Sequence, residues 1–396
     1  MRLLAFMVVI LACTGLASGH DLNTLYAPGV GARAMGMGGA FVAASGDPSC
    51  IYWNPAGLAG IRKPTASLEG WRMWGWSEAE KYFDLRSSSY KYGSVEHSGL
   101  GLGVVAWPFS MATVSAGTYI PYENSLWGET FTWRGRTVHK GMESRVLRSA
   151  IAAATMIPIF RQGKLALGLE VFDDRLRYRK TLSPYTASGL WAEYVLVDWR
   201  NSKLQGGGYG VQTGLLFQPE DALAIGLAVE KRGTLDATGT TEAYYYESYP
   251  DSFLIENTYW LPTALSTPLP TLFKLGIRLH QEPLTFEWDT QFASESPRSS
   301  LTPYSWQGLT DPGIRRVATP FQRMGAELKV VPGVFIRGGA YFDFGSEIDE
   351  PLYLTYGLGV ERWGFKADGA VERLFSKGAH ELITRGSLGL TYALGK

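Results

Sequence analysis

Three closely spaced glycines near the N-terminus are the first residues in the chain that suggest binding chemistry, because glycine-rich turns can cradle a phosphate. Gly36, Gly38 and Gly39 lie in GARAMGMGGAFVAASGDPSCIYWNPAGLAG, residues 31–60. A dinucleotide-binding loop needs a third glycine where Phe41 stands and a βαβ unit after it, whereas a P-loop ends in Gly-Lys-Ser/Thr. Neither pattern is present, so the spacing argues against nucleotide binding.

Residues that could catalyse a reaction are scattered. The chain contains no Gly-x-Ser-x-Gly elbow and no His-Glu-x-x-His helix. We therefore expect no enzyme activity, no cofactor and no catalytic metal, although a triad assembled only in space escapes such patterns. The histidines lie far apart, at His20, His97, His139, His280 and His380.

One acidic group could bind a cation. Glu170, Asp173 and Asp174 fall near the end of an expected strand, and carboxylate oxygens are the ligands that calcium prefers. A solvated acidic turn has the same composition and is commoner. Both interpretations stay open from the sequence.

The N-terminus predicts export. Residues 1–19 have a basic start at Arg2, an apolar run and small residues before a cleavage position, which together are typical of a secretory signal peptide. In an alternative interpretation, a lipobox ends at Cys13 and leaves the mature chain lipid-anchored. Only Cys50 follows the signal, so we expect no intramolecular disulfide.

The composition then limits how an exported chain of this kind could meet a membrane. Lys and Arg total 37 and Asp and Glu total 37, so no net charge favours nucleic acid as a partner. No apolar run after the signal is long enough for a membrane helix. If the chain crosses a membrane, it must do so as a closed barrel, which leaves no strand edge unpaired in lipid.

Alternation of apolar and polar residues is the strongest pattern in the chain. Leu165, Leu167, Leu169 and Val171, for example, alternate with polar or small residues. The same period of two recurs in segments near 100–106, 223–230, 273–292, 323–330 and 365–372, and it predicts half-exposed β-strands.

The connections between these segments alternate in length. Short turns are expected near Pro108, 160–163, Pro219, Pro283, Pro332 and Trp363. Long connections are expected at 122–142, 175–205, 233–270 and 295–319, with shorter ones at 346–351 and 376–380. Short turns on one side and long loops on the other are typical of outer-membrane barrels. We predict about 14 strands between residue 80 and the C-terminus. Thr65 to Gly70 is either a further strand or part of an N-terminal plug.

A barrel of this size needs something to occupy its lumen, because strand side chains alone cannot fill it. The expected inner face carries charges of both signs, which favours a closed or plugged interior over a charge-selective pore. These residues are Lys164, Glu170, Lys274, Arg278, Glu287, Asp289, Arg323, Glu327, Lys329, Lys366 and Asp368. Aromatic residues near strand ends predict interface girdles. These are Trp107, Phe109, Tyr119, Phe172, Phe217, Trp288, Tyr341, Phe342, Tyr353, Trp363 and Phe375.

The last strand resembles the C-terminal signal that the bacterial barrel-assembly machinery reads. Ser387, Gly389, Tyr392 and Leu394 follow its order of polar, glycine, aromatic and apolar residues, although Gly395 and Lys396 extend beyond it. The resemblance implies that this machinery is a partner during biogenesis.

The segment 31–60 itself resembles the N-terminal signature of PorV/PorQ-like proteins, in the FadL superfamily of outer-membrane transporters for hydrophobic compounds. The likeness rests on Arg33, the glycines, Phe41, the Asp47-Pro48 step and the run Asn54-Pro55-Ala56, in that order after a signal peptide. The resemblance implies an all-β transmembrane antiparallel barrel of about 14 strands with an N-terminal plug, or hatch, in its lumen. The plug or gate residues would be Arg33, Gly36, Gly38, Gly39, Asp47, Asn54, Pro55 and Ala56.

These expectations combine into one architecture and two alternative functions. The chain would comprise a signal peptide at 1–19, a plug at 20–62 and a barrel at 63–396 in the outer membrane, in contact with its lipid. The resemblance implies passive transport of a hydrophobic small molecule, such as a long-chain fatty acid or a hydrocarbon. The alternative is a PorV-like scaffold that holds exported protein cargo. The sequence identifies no ligand-binding residues.

Overall fold

The computed structural model describes most of the chain between Thr24 and Leu394. The predicted signal at 1–19, Cys13, His20 and the expected connections at 346–351 and 376–380 lie outside the described residues. Those residues are 24–26, 29–78, 92–133, 136–159, 163–182, 187–188, 195–248, 254–294, 300–302, 316–318, 322–342, 352–375 and 381–394.

The described residues form short helices near the N-terminus and strands after them. The helices are α1 (Ala32–Gly36), α2 (Cys50–Trp53) and a 3₁₀ helix (Pro55–Gly60). The strands are β1 (Thr24–Tyr26), β2 (Thr65–Glu78), β3 (Tyr92–Pro108), β4 (Ala112–Trp133), β5 (Arg136–Pro158), β6 (Lys164–Leu182), β7 (Ala187–Ser188), β8 (Val195–Glu220), β9 (Leu223–Arg232), β10 (Thr234–Ser248), β11 (Leu254–Pro268), β12 (Leu272–Gln281), β13 (Leu284–Ala293), β14 (Ser300–Thr302), β15 (Arg316–Ala318), β16 (Gln322–Val331), β17 (Val334–Phe342), β18 (Leu352–Arg362), β19 (Phe365–Phe375) and β20 (Glu381–Ala393). No helix in the described part of the chain is long and apolar enough to cross a membrane.

The strands close into an antiparallel barrel of 14 strands. β2 pairs with β3 on one side and with β20 on the other, which closes the ring. β9 and β10 pair with successive parts of β8 on either side of Gly233, so together they are one strand of the barrel. β11 and β12 are joined in the same way, because they pair with β10 and β9 respectively.

The first strand of the barrel lies before residue 80. Thr65 to Gly70 belongs to β2, so the expectation that all the strands lie after residue 80 is wrong although the total of about 14 is confirmed. The alternation in β2 is hard to recognise because large aromatic residues occupy both faces. Trp71 is buried, whereas Trp74 is 43% exposed on the opposite face.

Most of the expected long loops are also strands. The ladder between β4 and β5 continues to Trp133 and Arg136, and the ladder between β10 and β11 continues to Ser248 and Leu254. The predicted loops at 122–142 and 233–270 are therefore wrong, and so is the loop at 175–205, whose described residues belong to β6, β7 and β8. Apolar alternation ends where a strand leaves an apolar environment, but backbone hydrogen bonding continues beyond that point. Within 295–319 the described residues are those of β14 and β15.

The two faces of the barrel differ as the alternation predicts on β6, whereas on β3 the apolar residues Leu102, Val104 and Ala106 are buried on the inner face. On β6, Leu169 and Val171 face outward and are 50% and 54% exposed, whereas Glu170 and Phe172 face inward and are buried. Trp107, Phe109 and Trp363 are exposed at the end with short turns, where a girdle is expected. The girdle assignment is wrong for Tyr119, Phe172, Tyr341 and Tyr353, which are buried. Their positions in the strand alternation point them inward.

Residues 29–61, which we call the N-terminal segment, lie inside this ring of strands. Almost all of them are buried. The segment hydrogen-bonds to strands on several sides of the ring, and its 3₁₀ helix packs against β4, β5 and β6, as only a chain within the barrel can do. Its partners include Glu69 on β2, Gln212 on β8, Lys274 on β12, Asp289 on β13, Arg323 on β16, Thr355 on β18 and Arg385 on β20.

Candidate functional site

The glycines of the N-terminal segment lie directly against the barrel wall. Gly38 has a positive φ of 66°, and a Cβ atom there would lie 2.6 Å from the Ala340 nitrogen and from the Met324 oxygen. A Cβ on Gly36 would lie 3.0 Å from the Cα of Gly357. These glycines therefore allow a close approach of two backbones, and the contact made here is with strands.

The inner face of the barrel wall also carries glycines where the N-terminal segment lies against it. A Cβ on any of them would overlap the N-terminal segment or a side chain that holds it. They face each other as register partners on three pairs of adjacent strands, namely Gly168 with Gly214, Gly226 with Gly276 and Gly325 with Gly339. The sequence shows these glycines as alternating small residues, but it does not show what lies against them.

Arg33 and Asp47 join the segment to two strands through ion pairs. Arg33 donates from Nη2 to Glu327 Oε1 at 2.8 Å and from Nε to Glu327 Oε2 at 3.0 Å. Its Nη1 lies 3.4 Å from Asp47 Oδ2, and Lys366 Nζ lies 3.4 Å from the same oxygen. The Asp47 carboxylate also accepts hydrogen bonds from the Ser49 backbone and hydroxyl groups.

These charges keep Arg33 and Asp47 ionised. Burial alone would raise the pKa of the Asp47 carboxyl, but Lys366 and Arg33 outweigh burial and hold that pKa well below its usual range. Burial would lower the pKa of the Arg33 guanidinium, but Glu327 and Asp47 raise it above its usual range. The network therefore stays charged near neutral pH.

Two carboxylates of β13 bind consecutive backbone amides of the segment. Asp289 Oδ2 accepts from the Phe41 nitrogen at 2.6 Å and from the Val42 nitrogen at 2.9 Å. Glu287 Oε1 accepts from the Ala43 nitrogen at 2.9 Å. These three backbone amides belong to no helix or strand, and the two carboxylates provide their hydrogen-bond acceptors. The sequence pattern placed both carboxylates on the inner face but did not connect them with the N-terminal segment.

Asn54, Pro55 and Ala56 form a second attachment. The Asn54 side chain is buried, accepts from the Ala56 nitrogen at 3.1 Å and so caps the 3₁₀ helix that Pro55 begins. Its Nδ2 donates to the Val42 oxygen at 2.8 Å and to the Leu215 oxygen on β8 at 3.1 Å. Asn54 thus links both halves of the segment to the wall. Arg323 Nη1 donates a hydrogen bond to the Gly39 carbonyl oxygen at 3.4 Å.

Several wall residues that anchor the N-terminal segment were not among the residues that the family resemblance implied. Glu69 accepts from the Ala32 nitrogen at 2.6 Å, Gln212 donates to the Trp53 oxygen at 3.0 Å, and Lys274 donates to the Tyr52 oxygen at 3.1 Å. A polar residue two positions before a wall glycine, as in Gln212-Thr-Gly214 and Lys274-Leu-Gly276, is the signal that could have identified two of these three anchors.

The acidic group considered for calcium is divided by the strand alternation. Asp173 faces outward and pairs with Arg175, whereas Asp174 faces inward and lies 2.7 Å from Arg148. Glu170, also inward, accepts a hydrogen bond from the Tyr119 hydroxyl. These residues lie within β6 and do not converge, so they form neither a shared calcium site nor a solvated acidic turn. No metal-holding cluster of His, Cys, Asp or Glu occurs among the described residues.

His280 makes an ordinary hydrogen bond. Its Nδ1 lies 2.8 Å from the Thr285 hydroxyl, across the β12–β13 ladder.

The barrel wall is interrupted between β3 and β4. Ser94 pairs with Trp127 and Leu102 pairs with Tyr119, but within the described backbone residues 95–101 and 120–126 do not pair with each other. We call this break the wall gap. Pro121 lies within it and has no amide to donate, and β4 shifts register against β5 between Tyr119 and Tyr122. Pro121 is the signal in the sequence that could have located the gap.

Two elements occupy the edges of the wall gap. Arg145 Nη2 lies 3.3 Å from Glu123 Oε1 on β4 and 3.4 Å from the Ser98 oxygen on β3, so one guanidinium bridges both edges. The strand β1 pairs with β4 at Tyr26 and Glu123, and its other side pairs in parallel with β15. The start of the N-terminal region thus lies against the free edge of β4.

Comparison with known proteins finds solved structures of similar architecture. No model of a protein family and no curated protein matches the chain. Among solved structures, the toluene transporter TbuX of Ralstonia pickettii superposes with a TM-score of 0.67 at 15% identity, covering 93% of this chain and 99% of that chain. The fold of this chain is similar to that of TbuX.

Two further structures agree. The toluene transporter TodX of P. putida has a TM-score of 0.67 at 12% identity and covers 95% of this chain and 100% of its own. A FadL homologue of Pseudomonas aeruginosa has a TM-score of 0.63 at 14% identity, with 96% and 100% covered. At these identities the likeness concerns the fold, which extends over nearly the whole of each chain.

Proposed function

We propose that this protein is an outer-membrane channel for the passive transport of hydrophobic compounds, with the N-terminal segment as its plug. Three features support the proposal: the likeness to toluene transporters, the apolar outward face of the barrel and the wall gap. The proposal needs no catalytic step, only a path whose opening changes between two states.

The observation that carries the proposal is the wall gap. The exposed Leu100 lies at its edge, so the gap begins within the apolar face of the barrel. An opening from the lumen toward lipid is useful only to a solute that lipid accepts, because a polar solute would lose its hydration there. We therefore propose that an apolar solute enters the barrel from the loop side and leaves sideways through the gap.

The contacts that anchor the N-terminal segment favour exit through the wall gap over exit past a displaced plug. Shifting the whole segment would break the Arg33–Glu327 pair, the amide contacts of Asp289 and the Asn54 contacts together. Removing one partner of a buried ion pair alone costs about 3–5 kcal/mol. Arg145 and β1 require fewer contacts to be broken. We propose that these two elements open while the N-terminal segment, residues 29–61, stays in place as the plug.

Uptake by intact cells tests the proposal. The host should have an asymmetric outer membrane and no related transporter of its own, because a simple phospholipid vesicle is already permeable to hydrocarbons. We expect cells producing the protein to take up radiolabelled toluene or a long-chain fatty acid at least about tenfold faster than cells without it. A neutral hydrophilic solute of similar size should show no difference.

A second test uses a variant that removes the Arg145 bridge across the wall gap but keeps the barrel. In Arg145→Met with Glu123→Gln, no charge is left unpaired and the gap is less polar, so uptake should increase. Equal uptake with and without the protein, for both hydrophobic solutes, would refute the proposed function. The relative rates for toluene and the fatty acid would identify the class of substrate.

The narrower PorV/PorQ assignment and the scaffold function remain a second hypothesis. One observation favours it, since a lumen filled by a firmly attached segment suits a barrel that conducts nothing. A scaffold would show no hydrocarbon uptake and would copurify with an exported protein. The signal peptide at 1–19 and recognition of the last strand by the assembly machinery remain predictions.

A further inference from the structure

The outward face of β6 changes from apolar to strongly basic along its length. Leu167, Leu169 and Val171 are 41%, 50% and 54% exposed on this face. The next outward positions are Asp173 and then an exposed column of three arginines, which we call the arginine column. It consists of Arg175, Arg177 and Arg179.

Neighbouring strands add to the positive charge. Arg145 on β5 is the register partner of Arg177, and Lys203 on β8 is the register partner of Arg179. Acidic residues on the same face are Asp173, which lies 3.1 Å from Arg175, Glu143 opposite Arg179, Glu123, which pairs with Arg145, and Asp236, which lies across Gly207 from Arg175. Five basic side chains thus meet four acidic ones in a chain whose total charge is zero.

The arginine column begins where a membrane's apolar layer would end. A strand rises about 3.3 Å per residue and tilts by about 40° in such barrels, which places Arg175 roughly 28 Å above the start of β6. The outward apolar band of an outer-membrane barrel is about 25 Å tall. Leu167 to Val171 therefore face acyl chains, and the arginine column lies at the level of lipid headgroups.

The chemistry of the column matches a phosphate. Alternate residues of a strand are roughly 6.6 Å apart, so three guanidinium groups lie close enough together to attract an anionic group jointly. Arginine binds phosphate through paired N–H donors in a fixed fork, and its stem can reach along the barrel to the headgroup level. Arg175 is 76% exposed despite its contact with Asp173 and is therefore accessible from outside.

We propose that the arginine column binds the phosphate groups of a phosphorylated lipid in the outer leaflet, whose acyl chains cover Leu167, Leu169 and Val171. This inference rests on the proposed location of the barrel in the outer membrane. It does not depend on transport, because the column faces away from the lumen.

Lipid binding by the full-length protein in detergent tests the inference. The probes are bisphosphorylated lipid A, the same lipid without its phosphates, and inorganic phosphate, each titrated and followed by native mass spectrometry. The variant is Arg177→Gln with Arg179→Gln. The matched control is Lys164→Gln with Lys329→Gln, which removes two exposed charges at the end with short turns, where each pairs with a carboxylate.

We expect the wild type and the control to bind bisphosphorylated lipid A about tenfold more tightly than the arginine variant, a difference that decreases with salt. Equal affinity of variant and wild type would overturn the inference. Equal binding of the dephosphorylated lipid, or inorganic phosphate binding as tightly as the lipid, would also overturn it. Hydrocarbon uptake by the folded variant should match that of the wild type, so a failure of lipid binding and a failure of transport are distinguishable.

Discussion

Cross-linking the two edges of the wall gap will stop uptake of hydrophobic solutes. Cysteines at Ser98 and Glu123, in a Cys50→Ala background, can be joined by a short bifunctional thiosulfonate, since one guanidinium group now contacts residues 98 and 123 at once. Because the solute is proposed to leave between β3 and β4, we expect toluene uptake to fall at least about tenfold, to the level of cells without the protein. Reduction should restore it.

Two controls separate closure of the gap from chemical modification. Each single-cysteine variant treated with the same reagent should keep its uptake, and so should the double variant treated with a monofunctional reagent. Full uptake by the cross-linked protein would show that the solute does not use the gap. Electrophoretic mobility before and after heating should show an intact barrel in every sample.

Replacing Gly325 with leucine will detach the N-terminal segment from the wall. A Cβ at Gly325 would overlap the Met37 carbonyl oxygen and backbone, and the strand that carries it cannot withdraw because it is paired on both sides. Inserting such a side chain into a packed contact typically costs about 1–3 kcal/mol, and more where backbone atoms collide. The N-terminal segment then no longer fills the lumen. We therefore expect a persistent ion conductance in planar bilayers and proteolysis within residues 29–61.

Gly338→Leu is the matched control for this change. Gly338 lies on the neighbouring strand β17 but faces outward, and a Cβ there would meet nothing nearer than 4.0 Å. This variant should remain closed and resistant to protease. If Gly325→Leu is equally closed, the segment does not seal the lumen through its contact with the wall glycines.

The sequence was most informative where a residue's neighbours follow from its own strand. Alternation placed Glu170, Lys274, Asp289 and Glu327 on the inner face, and the structure has all four buried there. Alternation needs only the period of the strand, which is a local property. The same reasoning applies to the acidic group for which calcium was one interpretation. Asp173 and Asp174 are adjacent in sequence and therefore lie on opposite faces, which the grouping of carboxylates by proximity overlooked.

Contacts across long sequence separations were beyond the reach of local patterns. Arg33 and Glu327, or Phe41 and Asp289, meet only because the barrel closes around the N-terminal segment. The resemblance supplied the segment and the names of eight residues in it, but not their partners on the wall. The loop boundaries were misjudged for another reason, because the described residues of 122–142 continue the β4–β5 ladder after the apolar alternation ends.

The wall gap is an intermediate case, because one of its causes is local in sequence and the other depends on the partner strand. Pro121 is visible in the sequence and is unfavourable in the middle of a sheet. Its consequence depends on the opposite strand, where Gly99 and Gly101 provide no side chains to cover the break. A proline in one strand with glycines in its partner is therefore a pattern by which a lateral opening could be predicted.

The measurement that tests the central claim most directly is uptake with the plug tethered in place. A Cβ built on Gly389 of β20 lies 3.4 Å from the Ala32 Cβ in α1, close to the spacing of a disulfide. Ala32→Cys with Gly389→Cys, in the Cys50→Ala background, should therefore form a bond under oxidising conditions. We predict that toluene uptake is the same, within about twofold, before and after reduction of the tether, because the solute leaves through the wall gap while the plug stays. Uptake that falls to the level of cells without the protein while the tether is formed, and returns on reduction, would contradict the account.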